Sequence, residues 1–345
     1  MPLSIQIDPE RFRIGVLGGG SWGTTLANLL AEKGFRVDLW VFEAEVAEQI
    51  RTVRENRAFL PGVPLSPNLN ATTDLTGTAT GKELLVVVVP SHVMRRTTLA
   101  LAGALRPDTL VVSASKGIEN RTHLTMTGVL KETLGIPDSR VGVLSGPSFA
   151  AEVARRMPTT VTVASRNPEL ARLAQAAFAT PFFRVYTHED VTGVELGGSV
   201  KNVIAIAAGI VDGLGFGLNT RAALITRGMT EIRRLGLRLG ANPRTFTGLA
   251  GFGDLILTCT GDLSRNHTLG LKIGQGQRLV EILARTRSVA EGVHTSESVY
   301  NLSHRLNVEM PISHQTYRIL YEDLPPKEAL HQLMTRNLKP ELDDE

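Results

Sequence analysis

Residues 13–23 read Arg-Ile-Gly-Val-Leu-Gly-Gly-Gly-Ser-Trp-Gly, and few folds accommodate that order. The apolar run Ile14, Val16 and Leu17 predicts a buried strand, and Gly18-x-Gly20-x-x-Gly23 follows it without a gap. Leu26, Leu29 and Leu30 then recur at helical spacing until Gly34 stops the pattern. Strand, glycine turn and helix in this order predict a dinucleotide-binding unit. Gly18 permits the tight turn, Gly20 lets backbone approach a pyrophosphate, and Gly23 lets the helix lie close to the strand. The helix N-terminus offers free N–H groups and partial positive charge to the two phosphates.

A chain of 345 residues exceeds what one hydrophobic core usually spans, so two domains are expected. The net charge of +3 is small and the basic residues are scattered, which argues against a nucleic-acid partner. The single cysteine, Cys259, excludes an internal disulfide and fits a reducing, cytoplasmic setting. Residues 1–10 lack the pattern of a secretory signal, and no run of about 18 apolar residues is evident, so no integral membrane segment is expected. The eight histidines show no ligand spacing, and no metal is expected.

Further strands are predicted at 36–42, 84–89, 109–115 and 140–145, separated by helical stretches and a loop rich in proline and asparagine around 61–70. The alternation implies right-handed crossovers and a doubly wound parallel sheet of Rossmann type, which 159–164 and 183–187 extend. From about Asp190 strand runs disappear. Helical patterns then occupy 191–211, 220–236, 264–273, 279–285, 295–306, 312–322 and 326–334. An α/β dinucleotide domain (1–190) followed by an all-α substrate domain (191–345) is the expected organisation, with chemistry in the cleft between them.

In an open parallel sheet, ligands lie beyond the carboxyl ends of the strands. Three such ends carry Pro90-Ser91, Lys116-Gly117 and Gly146-Pro147-Ser148. The 191–211 helix is apolar nearly all round and therefore buried, yet Lys201 and Asn202 sit at its middle. A buried lysine needs a partner or a task. Desolvation and a second cation such as Lys116 both push its pKa toward neutrality, which suits proton transfer to a carbonyl or alcohol. Ser264-Arg265-Asn266 brings a hydroxyl, a guanidinium and an amide to a helix start, a set that suits a phosphate monoester but also an ordinary cap. Asp254 follows a glycine turn, where it could equally cap a helix. Cys259 reads as an inert buried thiol.

These motifs together resemble the NAD(P)-dependent glycerol-3-phosphate dehydrogenase family. The segments that carry the resemblance include Gly18-x-Gly-Ser-Trp-Gly23, Ser115-Lys-Gly117, Ser145-Gly-Pro-Ser148, Gly193-Val-Glu-Leu-Gly-Gly-Ser-Val-Lys-Asn202, Gly253-Asp-Leu255, Ser264-Arg-Asn266 and Val289-Ala-Glu-Gly292. The resemblance implies reversible hydride transfer between NAD(P)H and dihydroxyacetone phosphate, giving sn-glycerol 3-phosphate for phospholipid synthesis, in a homodimer. It implies that Lys201 donates and accepts the proton and that Lys116 reaches both cofactor and substrate. Ser21, Trp22, Ala150, Arg265, Val289 and Glu291 are implied to contact the cofactor. Gly146, Ser148, Asp254, Ser264, Arg265 and Asn266 are implied to contact the substrate, with Asp254 orienting a lysine.

One stretch departs from the family. Many bacterial members place a histidine or arginine just after the second strand, where a cation accepts the 2′-phosphate of NADP. Here the residues are Trp40-Val-Phe-Glu43. Glu43 lies at the spacing from Gly23 expected for a carboxylate on the ribose 2′-hydroxyl, so NAD is expected over NADP, with Glu45 and Arg51 able to alter the balance. Two other readings compete: a related Rossmann-fold reductase of a hydroxy acid, and a non-catalytic NAD sensor.

Overall fold

The computed structural model describes residues 5–285 and 290–341. Eight strands form one sheet: β1 (Arg13–Leu17), β2 (Arg36–Trp40), β3 (Leu69–Thr72), β4 (Leu84–Val87), β5 (Leu110–Ser113), β6 (Val141–Ser145), β7 (Thr159–Ala164) and β8 (Phe183–His188). Their order is β3-β2-β1-β4-β5-β6-β7-β8. The first six run parallel, and Ile14 to Leu17 of β1 pair with Leu84 to Val87 of β4. The strand sequence reverses direction between β1 and β4, the crevice where doubly wound sheets bind ligands. Alternate residues feed two apolar layers. Ile14, Val16, Leu84 and Val86 pack with the helix Ser21–Glu32, while Leu17, Leu85 and Val87 pack with the helix Met126–Leu134.

Two features of the sheet differ from expectation. β3 begins at the end of the segment read as a loop and runs just past it. It is a four-residue edge strand whose inward pair, Leu69 and Ala71, is too short an alternation to stand out, while its Asn70 amide donates to Asp38 Oδ1 of β2 at 2.8 Å. β7 runs antiparallel to β6, and β8 parallel to β7. The helix between β6 and β7, Ala150–Ala154, has only five residues and so spans about 7–8 Å, too little to carry the chain back along a strand for a parallel return.

Beyond β8, Asp190 caps the 23-residue helix Val191–Gly213, its carboxylate accepting from Gly193 N at 2.9 Å. This helix does contain a stretch long and apolar enough to cross a bilayer, with mean hydropathy 1.5, which the sequence reading missed. All of that stretch is buried, because the other helices pack around it. The helices Leu218–Arg238, Asp254–Thr260, Arg265–Gly274, Glu291–Leu306 and Pro311–Tyr321 surround it. Against Arg265–Gly274 it approaches backbone to backbone. A Cβ on Gly209 would stand 2.0 Å from His267 O, and one on Gly270 2.0 Å from Ile206 O.

Candidate active site

The glycine turn is built as its sequence implies. Gly18 has φ +121°, and a Cβ there would lie 2.5 Å from Val88 O. A Cβ on Gly23 would lie 1.9 Å from Gly18 O, so this glycine lets the helix close on the strand. Gly20 differs, because a Cβ there meets nothing within 4 Å and the turn opens outward at that residue. Gly20 is also the N-cap of helix Ser21–Glu32, with no side chain capping the helix and no acidic residue in its first turn. Its N–H groups and positive dipole end therefore face outward without a competing anion. The indole N–H of Trp22, buried nearby, has no hydrogen-bond partner among the described residues. A turn that excludes side chains, unopposed donors and an orphaned indole N–H fit a dinucleotide pyrophosphate.

Lys116 and Lys201, distant in sequence, meet on one carboxylate. Lys116 follows β5 and its Nζ donates to Asp254 Oδ2 at 2.7 Å and to Gly146 O at 3.5 Å. Lys201 donates to Asp254 Oδ1 and, at 2.7 Å, to Thr258 Oγ1. Asp254 is 1 % exposed and Lys201 5 %. Asp254 is the first residue of its helix and its carboxylate takes the lysines, so it does not act as the cap. Burial is the main cause that lowers the Lys201 pKa, to about 7. Lys116 lowers it too, while Asp254 pulls it back upward. Gly198 makes room for this meeting, since a Cβ there would strike Ser145 Oγ at 2.4 Å and lie 3.8 Å from Lys116 Cδ.

Ser264 is the N-cap of helix Arg265–Gly274, its Oγ accepting from His267 N at 3.2 Å, so the ordinary-cap reading holds for it. Its hydroxyl proton has no acceptor among the described residues. Asn266 is anchored twice: its amide donates to Asn202 Oδ1 at 3.0 Å, and its carbonyl accepts from Gly292 N at 2.9 Å. Arg265 is exposed and makes no ion pair among the described residues. A cleft of about 380 Å³ joins these parts, running from Ser21 and Trp22 past Ser148 and Ala150 to Lys201, Ser264, Arg265 and Asn266. Three cations line it (Arg155, Lys201 and Arg265), and no carboxylate does among the described residues. An organic phosphate is the ligand class such a wall favours.

The remaining predicted residues are placed as follows. Gly146, at φ +140°, turns its carbonyl to Lys116 and to the Ser148 hydroxyl, which donates to it at 3.0 Å. Glu291 starts its helix and accepts from Ser91 Oγ, four residues beyond β4, at 2.7 Å. Glu43 stands just beyond β2 and its carboxylate makes no hydrogen bond or ion pair among the described residues. Arg51 pairs with Glu48 on the exposed face of the same helix. Val289 lies outside the described residues. Cys259 is wholly buried, and burial pushes its pKa up to about 12. The sequence reading missed Thr258 and Arg155. Thr258 could have been found one helical turn after Asp254, on the same face.

A β3-β2-β1-β4-β5-β6 sheet with a glycine turn at its switch point, facing a helical half that carries a buried lysine, defines a nicotinamide-dependent oxidoreductase. Comparison with known proteins specifies it further. Family models for the N-terminus and C-terminus of NAD-dependent glycerol-3-phosphate dehydrogenase match residues 13–171 and 190–331. A glycerol-3-phosphate dehydrogenase (NAD(P)+) of Geobacter sulfurreducens is 58 % identical over 330 residues, covering 95 % of this chain and 98 % of that protein. A crystal structure of glycerol-3-phosphate dehydrogenase from Coxiella burnetii superposes with TM-score 0.91 at 39 % identity, over 95 % of this chain and 100 % of that one. The corresponding enzyme structure from Saccharomyces cerevisiae gives TM-score 0.80 at 30 % identity, over 93 % and 99 % of the two chains. The chain belongs to the NAD-dependent glycerol-3-phosphate dehydrogenase family.

Proposed function

We propose that this enzyme interconverts dihydroxyacetone phosphate and sn-glycerol 3-phosphate, with Lys201 as the proton donor and acceptor. A reduced nicotinamide dinucleotide, held through its pyrophosphate at the Gly18–Gly23 turn, would supply the hydride for the ketone carbon. Lys201 then gives its proton to the ketone oxygen, and in the oxidative direction the neutral amine takes that proton back. Lys116 adds positive charge beside the developing alkoxide, and Asp254 orients both ammonium groups. Ser264, Arg265 and Asn266 take the substrate phosphate, with Gly146 and Ser148 flanking the carbon skeleton. The cofactor contacts are Gly18, Gly20, Ser21, Trp22 and Gly23 at the turn, Glu43 on the ribose, and Lys116, Ala150, Arg265, Val289 and Glu291 along the rest. The observation that carries this reading is the shared carboxylate of Asp254, which bonds both lysines beside a cleft that no carboxylate lines among the described residues.

Sheet and helical half are read as separate domains, 1–190 and 191–345, because Asp190 caps the first helix of the second. A cytoplasmic homodimer feeding phospholipid synthesis completes the proposal. The sole buried thiol is consistent with that compartment, and the dimer rests on the family resemblance. NAD is expected over NADP, since the free Glu43 carboxylate can accept from a ribose 2′-hydroxyl and would repel a 2′-phosphate.

The test is NADH oxidation with dihydroxyacetone phosphate, in wild type and Lys201→Ala. Turnover in the variant should fall about 10²–10⁴-fold with NADH affinity retained; near-normal turnover removes Lys201 from the chemistry. Oxidation of NADH by a 2- or 3-oxo acid, but not by the phosphate, would instead favour a hydroxy-acid reductase. Cofactor binding without any turnover would favour a sensor. The ratio of kcat/KM for NADH and NADPH decides the role of Glu43, and a preference for NADPH rejects it.

A further inference from the structure

Asn56 takes no part in the chemistry above, yet its side chain is 0 % exposed and fully hydrogen-bonded. It lies beyond helix Ala44–Val53, in the turn that leads to the cleft wall. Its Nδ2 donates to Gly19 O and to Thr24 Oγ1, each at 2.8 Å, and its Oδ1 accepts from Phe59 N at 3.1 Å. The Asn56 carbonyl accepts from Leu60 N at 2.8 Å. Thr24 completes the ring, its hydroxyl donating to Gly19 O at 3.2 Å. The Gly19 carbonyl therefore takes two donors from inside the protein.

The orientation of that carbonyl fixes the group on its other side. In a trans peptide, the C=O of one residue and the N–H of the next point in opposite directions, and every described peptide here is trans. Holding the Gly19 oxygen inward turns the Gly20 N–H outward, at the residue where an added Cβ would meet only open space. Phe59 and Leu60, tethered to the same asparagine, form part of the cleft wall beside Ser21 and Trp22. Only an amide side chain supplies two donors and an acceptor from one position, and all are used here.

We infer that Asn56 is a positioning residue for the cofactor pyrophosphate, aiming the Gly20 N–H at it and holding the Phe59–Leu60 wall in register. The inference rests on the reading that a dinucleotide lies at the glycine turn. Its test uses Asn56→Leu, which keeps the volume and removes the hydrogen-bonding amide, and Thr24→Val, which removes the second donor to Gly19 together with the acceptor of one Asn56 amide proton. Steady-state kinetics would be combined with calorimetric binding of ADP-ribose, which carries the pyrophosphate, and of adenosine 5′-monophosphate, which does not.

In Asn56→Leu, KM for NADH and Kd for ADP-ribose should both rise about tenfold. The kcat at saturating NADH, KM for dihydroxyacetone phosphate and Kd for adenosine 5′-monophosphate should stay within about twofold of wild type. An unchanged ADP-ribose affinity overturns the inference, as does an equal loss for adenosine 5′-monophosphate, which would mark general damage to the fold. Should Asn56→Leu not fold, Thr24→Val decides: about threefold weaker ADP-ribose at wild-type Tm supports the inference, and unchanged affinity overturns it. Wild-type protein that binds no ADP-ribose removes the underlying cofactor reading instead.

Discussion

At the glycine turn, a continuous stretch from Gly18 to Gly23 supplies nearly everything by backbone, whereas the lysine bridge draws on side chains 53 and 138 residues away from Asp254. The turn works through what is missing: no Cβ at four positions and no capping side chain over the helix end. The bridge works through what has been buried, two ammonium groups around a single carboxylate. Local sequence can specify the first almost alone. The second exists only when the sheet and the helical half are both folded and in contact. Damage to the turn should therefore appear in cofactor affinity, and damage to the bridge in turnover, stability and pH dependence.

The strongest challenge to that contrast is Asp254→Asn, which leaves two ammonium groups without their counter-charge. Breaking a buried ion pair on one side costs about 3–5 kcal/mol, and turnover should fall about 10²-fold as Lys201 loses the partner that raises its pKa. Denaturant melts and kcat would both register it; a stable, active variant would mean that the bridge is incidental. The turn is sharpened by a pair of substitutions. Gly23→Ala forces a methyl to within 1.9 Å of Gly18 O and should lower Tm. Gly20→Ala meets no protein atom, so its Tm should stay near wild type while KM for NADH rises several-fold. Equal effects from the two glycines would erase the distinction between packing and binding.

A smaller effect concerns pH. With the Lys201 pKa lowered to about 7, the protonated donor is lost as pH rises through that value, so kcat for ketone reduction should fall on the alkaline side, about tenfold per unit at the limit. Alcohol oxidation needs the neutral amine and should gain over the same range. The same burial sets the sign for stability. The unfolded lysine, at its ordinary pKa of 10.5, binds more protons than the folded one between about 7 and 10.5, so this group's contribution to folding improves as pH rises across that window. A rate profile without an inflection near neutrality would assign the proton to another group.

Much of the fold was legible because it is local. The glycine turn, the apolar run into β4 and the proline-started helix Pro326–Met334 announce themselves within a dozen residues. Lys201 stood out as a charge in the middle of an apolar helix. What stayed hidden depends on tertiary contact. Nothing around Asp254 says whether its carboxylate caps a helix or holds two lysines, since both begin with an acidic residue after glycine. The direction of β7 follows from how far a five-residue helix can reach, and Asn56 looks like any loop asparagine until Gly19 is seen beside it.

The glycines between helices Val191–Gly213 and Arg265–Gly274 carry one more consequence. With Gly209 and Gly270 leaving no side chain between the two backbones, neither rod can slide or swivel on the other without a collision of main chains. Lys201 and Asn266 ride on those two rods, so the spacing between the end proposed to handle the proton and the end proposed to hold the phosphate is set by close backbone contact.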